Sequence, residues 1–230
     1  MIIKRGDGFM KLLCEALVKF VCGLLLVALF IFLPAGTFRF YKGWLFVALL
    51  FVPMLIAGFV MYFKSPDFLA KRLDAKEKQE KQKGVLAWAA LMFVAGFVIA
   101  GLDFRYAWSK MPLWVTIVAG ALFLLAYGLY AEVMRENAYL SRTIKVEEGQ
   151  QVVDTGLYGV IRHPMYSVTI LLFMAIPFIL GSWYAVITFA FYPAIIIVRL
   201  KDEEELLTRE LKGYDAYKQK VKFRLIPFVW

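Results

Sequence analysis

The chain has a single histidine, His163, in the run Arg162-His163-Pro164-Met165-Tyr166. Proline suits the first position of a helix, because its missing N–H would be unpaired there anyway. The first turn of such a helix offers free backbone N–H groups and a positive dipole end, where an anionic ligand group can dock. A second cluster, Arg199, Glu203 and Glu204, follows an apolar run. Arg199 and Glu203 share a helix face, a spacing that is often just a salt bridge contributing about 0.2–0.5 kcal/mol. Arg199 also stands at the edge of an apolar stretch, where an ionisable side chain points to function. Taken singly, each feature has a structural explanation: a lone histidine is more often structural than catalytic, and Glu204 and Glu205 can be solvated charges. There is no GxGxxG, Walker or GxSxG motif, and no second histidine for a histidine-rich metal site. Any cofactor is therefore held by something other than a Rossmann or P-loop fold, and no metal is expected.

These residues need elements to position them, and the composition says which kind. Of 230 residues, 62% are hydrophobic, and mean hydropathy is +0.68. A chain of this size cannot hide so much apolar surface in one aqueous core, so the bilayer is the expected solvent. Aromatics reach 17%, and Trp44, Trp88, Trp114 and Trp183 lie near the ends of apolar runs, as interfacial anchors do. The net charge of +9 falls between apolar spans, which points to topology and anionic headgroups and away from nucleic acid. Cys14 and Cys22 lie in a mostly apolar stretch with no CxxC, so neither a disulfide framework nor a zinc site is expected.

Six apolar stretches, 20–38, 44–63, 85–102, 113–130, 165–180 and 183–198, predict an all-α polytopic membrane fold of about six spans. The first reads as a retained span and not a cleavable signal. The last two are shorter and joined by Gly181-Ser182, which predicts a helical hairpin or a re-entrant pair. A four-span region, 1–131, precedes a C-terminal region, 132–230, that carries the chemistry. Residues 10–19 look amphipathic and interfacial. Residues 64–84 mix charges at helical spacing and predict a short surface helix, a linker without a catalytic role.

Lys and Arg number four in 1–19, seven in 64–84, four in 131–164 and eight in 199–230, or 23 on one side. Only Arg39, Lys42, Arg105 and Lys110 fall on the other. The positive-inside rule then places both termini in the cytoplasm. The membrane would be the plasma or inner membrane of a bacterium, or the endoplasmic reticulum of a eukaryote. The polar blocks 132–166 and 199–230 flank the terminal hairpin and meet at the same face.

The order of motifs across 132–230 resembles the isoprenylcysteine carboxyl methyltransferase family, within the integral membrane methyltransferases that include phospholipid methyltransferases. The matching residues are Gly156-Leu157-Tyr158, Arg162-His163-Pro164 with Tyr166, and Arg199 with Glu203-Glu204. Gly213-Tyr214 with Tyr217, and Arg224 to Pro227, complete the pattern. Lys212 before Gly213 departs from the commoner Phe-Gly. The resemblance implies S-adenosyl-L-methionine as cofactor, in a pocket of C-terminal helices and loops closed over by the C-terminal segment. It assigns Tyr158, Arg162, His163, Pro164, Tyr166, Glu203, Glu204, Tyr214 and Tyr217 to the cofactor, and Arg199, Glu203 and Glu204 to catalysis. Glu203 or Glu204 would meet the cofactor's amino group, and His163 or the helix start its carboxylate. A carboxylate acceptor needs no base, and Arg199 would orient it; an amine acceptor needs one, with Glu204 as candidate. Partners would be membrane lipids and a lipophilic acceptor, and a monomer suffices. Phospholipid N-methylation, an NADPH-dependent sterol or steroid reductase, and a transporter or scaffold are the competing readings.

Overall fold

The computed structural model describes residues 7–74, 80–140 and 143–230, and the described residues form helices and connecting loops with no strand. The helices are α1 (Asp7–Ala35), α2 (Tyr41–Lys64), α3 (Pro66–Leu73), α4 (Glu80–Tyr106), α5 (Leu113–Glu136), α6 (Pro164–Leu180), α7 (Trp183–Phe189), α8 (Tyr192–Glu210) and α9 (Tyr214–Lys220). One 3-10 turn, Gly156–Gly159, lies between α5 and α6. Helices α1, α2, α4, α5 and the α7–α8 pair are long and apolar enough to cross a bilayer. The polytopic membrane fold expected from composition is what the chain adopts.

Many apolar side chains on these helices face outward, Leu25, Ile56, Ile117 and Leu125 among them. In water they would oppose folding; in lipid they need no protein partner. The inward faces meet through rings and small residues. Phe46 packs on Phe97 and Phe123, and Phe93 on Phe173, Phe189 and Tyr192. Gly101 lets α4 approach the backbone of α1 so closely that an added Cβ would meet the Ile31 carbonyl.

Three local outcomes differ from the sequence reading. Residues 10–19 are not a separate helix; they belong to α1, which runs unbroken from Asp7 to Ala35. The last stretch is two helices, broken at Ala190–Phe191. Pro193 explains the break, because it lacks an N–H and its ring would collide with the carbonyl four residues back. Of the stretch 64–84, residues 66–73 form α3, residues 75–79 lie outside the described ones, and α4 has begun by Glu80.

The bundle has two polar ends. At one, Asp103 of α4 accepts hydrogen bonds from Ser109 N–H and Ser109 Oγ, each at 2.6 Å, and from Ser182 Oγ in the α6–α7 turn. The Trp183 N–H closes the ring onto Ser109 Oγ at 3.0 Å. At the other end the start of α6 meets the end of α8, and the two polar blocks of the C-terminal region come together.

Candidate functional site

Arg162 and His163 precede α6 and are held in place by backbone. The Arg162 N–H donates to the Phe223 carbonyl at 2.9 Å, and the His163 N–H to the Arg224 carbonyl at 3.0 Å. Ser167, one turn into α6, donates through Oγ to the Leu225 carbonyl at 2.6 Å. Residues 223–225 are thereby fastened along the start of α6.

Glu204 of α8 is the hub. Its Oε1 accepts from Arg162 Nε at 2.7 Å and lies 3.3 Å from His163 Nε2; its Oε2 accepts from Arg224 Nε at 2.7 Å. Arg162 also donates through Nη1 to the carbonyls of Val221 and Lys222, at 2.9 and 3.0 Å. One buried carboxylate therefore joins α8, the residues before α6 and the 221–224 segment. Removing one partner of such a buried charged group leaves the others uncompensated.

The neighbouring glutamate points elsewhere. Glu203 accepts a short hydrogen bond from Tyr166 OH and lines an open cleft. That cleft is walled by Tyr158, Arg162, His163, Tyr166, Arg199, Glu203, Tyr214 and Tyr217, with Leu207 and Leu211 of α8 and its end. Eight of the predicted site residues thus converge on one space. Pro164 and Glu204 stand behind its wall and do not line it. Arg199 also reaches α4, donating through Nη1 to Gln82 Oε1 at 3.3 Å, while Gln82 Nε2 donates to Asp202 at 2.5 Å.

The tyrosines are set by turns. In the 3-10 turn, Leu157 N–H donates to the Glu136 carboxylate at 3.0 Å, and Gly156 sits at φ +50 with its missing Cβ directed at that carboxylate. The left-handed φ favours glycine in the turn that presents Tyr158, and a Cβ there would displace the Glu136 carboxylate that accepts from Leu157 N–H. Tyr158 OH accepts from Asn137 Nδ2 at 3.0 Å, and Tyr217 OH donates to the Tyr158 carbonyl at 2.7 Å. Tyr214 OH lies 3.4 Å from His163 Nε2. Burial, then the charges of Glu204 and Glu203, push the Tyr214 hydroxyl above its ordinary range. Burial and then Tyr158 do the same to Tyr217. These phenols stay protonated near neutrality and act as donors and apolar walls.

The remaining wall is one that motif reading did not assign. Asn137, Tyr139, Leu140, Thr143 to Lys145 and Gln150 to Val153 line the cleft from the loop between α5 and the 3-10 turn. The loop is braced internally, with Tyr139 OH donating to the Gly149 carbonyl at 3.3 Å and Glu147 N–H to Gln150 Oε1 at 2.9 Å. It is also tied outward. Val146 and Val152 pack on Leu207, Leu211, Tyr214, Tyr217 and Val221, and Glu147 pairs with Lys71 of α3 at 2.5 Å. Burial alone would raise the Glu147 carboxyl, but Lys71 and Lys145 outweigh it and lower it. Only the polarity of block 132–166 signalled this wall, since its residues carry no spacing pattern. The expected closure by the C-terminal segment is divided: α9 and this loop wall the cleft, while 221–225 fasten its back.

A family model described as phospholipid methyltransferase matches residues 114–214, from the start of α5 to the first residue of α9. The match encloses Tyr158, Arg162, His163, Tyr166, Arg199, Glu203 and Tyr214, and stops short of Tyr217 and Arg224. The match supports a resemblance to membrane lipid methyltransferases and does not single out the isoprenylcysteine carboxyl type. A Delta(14)-sterol reductase of Mus musculus is 26% identical over 91 residues, 38% of this chain and 22% of the reductase's length.

Proposed function

We propose that the chain is an S-adenosyl-L-methionine-dependent methyltransferase acting on a lipid or lipid-modified acceptor at the cytoplasmic membrane face. The observation that carries this reading is the cleft itself. It sets Glu203 and Arg199 among four buried tyrosines, within the segment that resembles a membrane methyltransferase family.

The donor set fits this cofactor, which supplies an activated methyl group on a cationic sulfonium. Glu203 would hold the amino group, and the rings of Tyr158, Tyr166, Tyr214 and Tyr217 would cover the apolar and cationic parts. Tyr166 keeps Glu203 oriented through its hydroxyl. Arg162, Glu204 and Arg224 hold the wall rigid, so little reorganisation is needed at the moment of transfer. The loop residues lining the cleft, Asn137, Tyr139, Leu140, Thr143 to Lys145 and Gln150 to Val153, would exclude water, and the spans would give a lipid tail a lateral path. Methyl transfer needs alignment more than proton chemistry when the acceptor is a carboxylate. Arg199 would orient such an acceptor through its planar guanidinium.

A prenylated cysteine carboxylate is the acceptor we propose, because Arg199 lines the cleft while Glu204, the candidate base for an amine, is engaged by two arginines behind the wall. The phospholipid family match favours an amine acceptor instead. The similarity to a sterol reductase favours a reductase. One assay separates them. Protein in vesicles is given tritiated-methyl cofactor with farnesylated cysteine or with phosphatidylethanolamine. Base-labile methyl ester on the first is expected. Label confined to phosphatidylethanolamine moves the acceptor to amines. Sterol reduction with NADPH and no methyl transfer to either would overturn the reading.

A further inference from the structure

Residues 223–230 fold back on themselves as a tight finger. The N–H groups of Arg224, Leu225 and Ile226 converge on the Trp230 backbone oxygen, at 2.9, 3.0 and 3.2 Å, and Val229 N–H donates to the Ile226 carbonyl at 3.2 Å. Pro227 has no N–H to satisfy. The Arg224 guanidinium lies over the Trp230 ring, 5.2 Å from its centroid. The base of the finger is rigid, because Arg224 is paired with Glu204 and Leu225 is bonded to Ser167.

The tip is apolar and uncovered. Ile226 is 56% exposed, Phe228 89% and Val229 74%. Phe228 is also held at φ +65, a left-handed conformation that a bulky residue rarely adopts. Its ring touches Phe223, 5.3 Å between centroids, and otherwise faces outward, apart from the protein's core.

Its position says what it touches. Helix α6 has 17 residues and so a length of about 25 Å, less than the roughly 30 Å of the hydrocarbon layer. Its far end is fixed by Ser182 on Asp103 at the end of the spanning helix α4, which sets the first turn of α6 near the opposite hydrocarbon boundary. Leu225 is bonded to Ser167 in that turn, so the finger emerges at the same depth. Lys222, exposed beside it, suits anionic headgroups.

We infer that residues 226–229 form a membrane-inserting finger, seated at the headgroup–acyl boundary beside α6. Through Arg224 and Leu225 it fastens the Glu204 hub and the start of α6 to the bilayer surface.

The test is a depth measurement on the full chain with Cys14 and Cys22 replaced by serine. A nitroxide is placed at Phe228→Cys, and separately at Val229→Cys in case the first variant fails to fold. The protein is reconstituted in vesicles of phosphatidylcholine and phosphatidylglycerol. Reference labels sit at Leu125, on the lipid-facing side of α5, and at Ala216, exposed on α9. The finger labels are expected to collide with oxygen in preference to a water-soluble nickel complex, as at position 125. A profile matching position 216 would overturn the inference. So would dipolar broadening between labels, which would show that the tip is covered by a second copy of the chain. The measurement reads depth and not catalysis, so its failure leaves the methyltransferase reading intact.

Discussion

Each end of the bundle has a buried carboxylate, and the two are built differently. Asp103, 2% exposed, is held by one backbone N–H and two serine hydroxyls, with the α6–α7 turn packed onto it. Glu204, 8% exposed, is held by two guanidiniums with an imidazole beside it, and its neighbour Glu203 faces a cleft. Neutral donors in a closed packing make a clasp that joins helices. Charged donors behind an open wall hold a rigid surface against which a polar ligand can be aligned. A buried carboxylate is therefore no sign of function by itself; the charge of its partners and the space beside it are.

The largest effect should separate the ends. Glu204→Ala leaves Arg162 buried without its charge partner, and losing one side of a buried pair costs about 3–5 kcal/mol. A large fall in Tm with loss of ligand binding is expected. Asp103→Asn removes hydrogen bonds between neutral donors and a carboxylate, worth about 1–3 kcal/mol, and should lower Tm while ligand affinity is kept. Lost binding in the Asp103 variant with retained binding in the Glu204 variant would invert the comparison.

Glu203→Gln sharpens it within one end. The side chain lines the cleft, so the fold should hold while affinity for S-adenosylhomocysteine falls by roughly 10- to 100-fold, the worth of one charge-assisted hydrogen bond. A calorimetric titration of both proteins checks this. A Tm loss as large as that of Glu204→Ala would show Glu203 to be structural.

Tyr214 gives a pH-dependent contrast. Its folded pKa is raised by burial and by Glu204 and Glu203, so the unfolded chain releases this proton first. The contribution is full below the ordinary tyrosine value of about 10 and is lost as pH rises through the folded value. Thermal unfolding should show stability falling above about pH 10, with a shallower fall in Tyr214→Phe. An identical slope in the two proteins would detach Tyr214 from the effect.

The smallest change lies at the loop. Lys71→Ala removes one partner of Glu147, which keeps Lys145 at 3.5 Å, and should cost about 1 kcal/mol or less, shrinking in high salt. Unfolding at two ionic strengths measures it.

Much of this was legible in the residues. Apolar run lengths located the helices, because lipid-facing and core-facing positions are both apolar and the run ends where the bilayer does. The convergence of Arg162, His163, Tyr166, Arg199 and Glu203 was legible through motif order. What stayed hidden depended on three-dimensional proximity. Glu203 and Glu204 are adjacent and chemically equal in sequence, and only the turn of α8 sends one to the cleft and the other to Arg162 and Arg224. The wall of residues 137–140 and 143–153 is irregular backbone held by Glu147 and by valines, with no period to read. Pro193 was visible as a proline, but its breaking of the last span was not, since membrane helices often tolerate one.

The central claim is that the Glu203 cleft binds a sulfonium cofactor, and direct binding tests it best. Purified protein in detergent is titrated with S-adenosylhomocysteine and, separately, with NADPH, as wild type and as Glu203→Gln. The account predicts saturable binding of S-adenosylhomocysteine that weakens in Glu203→Gln, with no binding of NADPH. Binding of NADPH by a protein that ignores S-adenosylhomocysteine would contradict it.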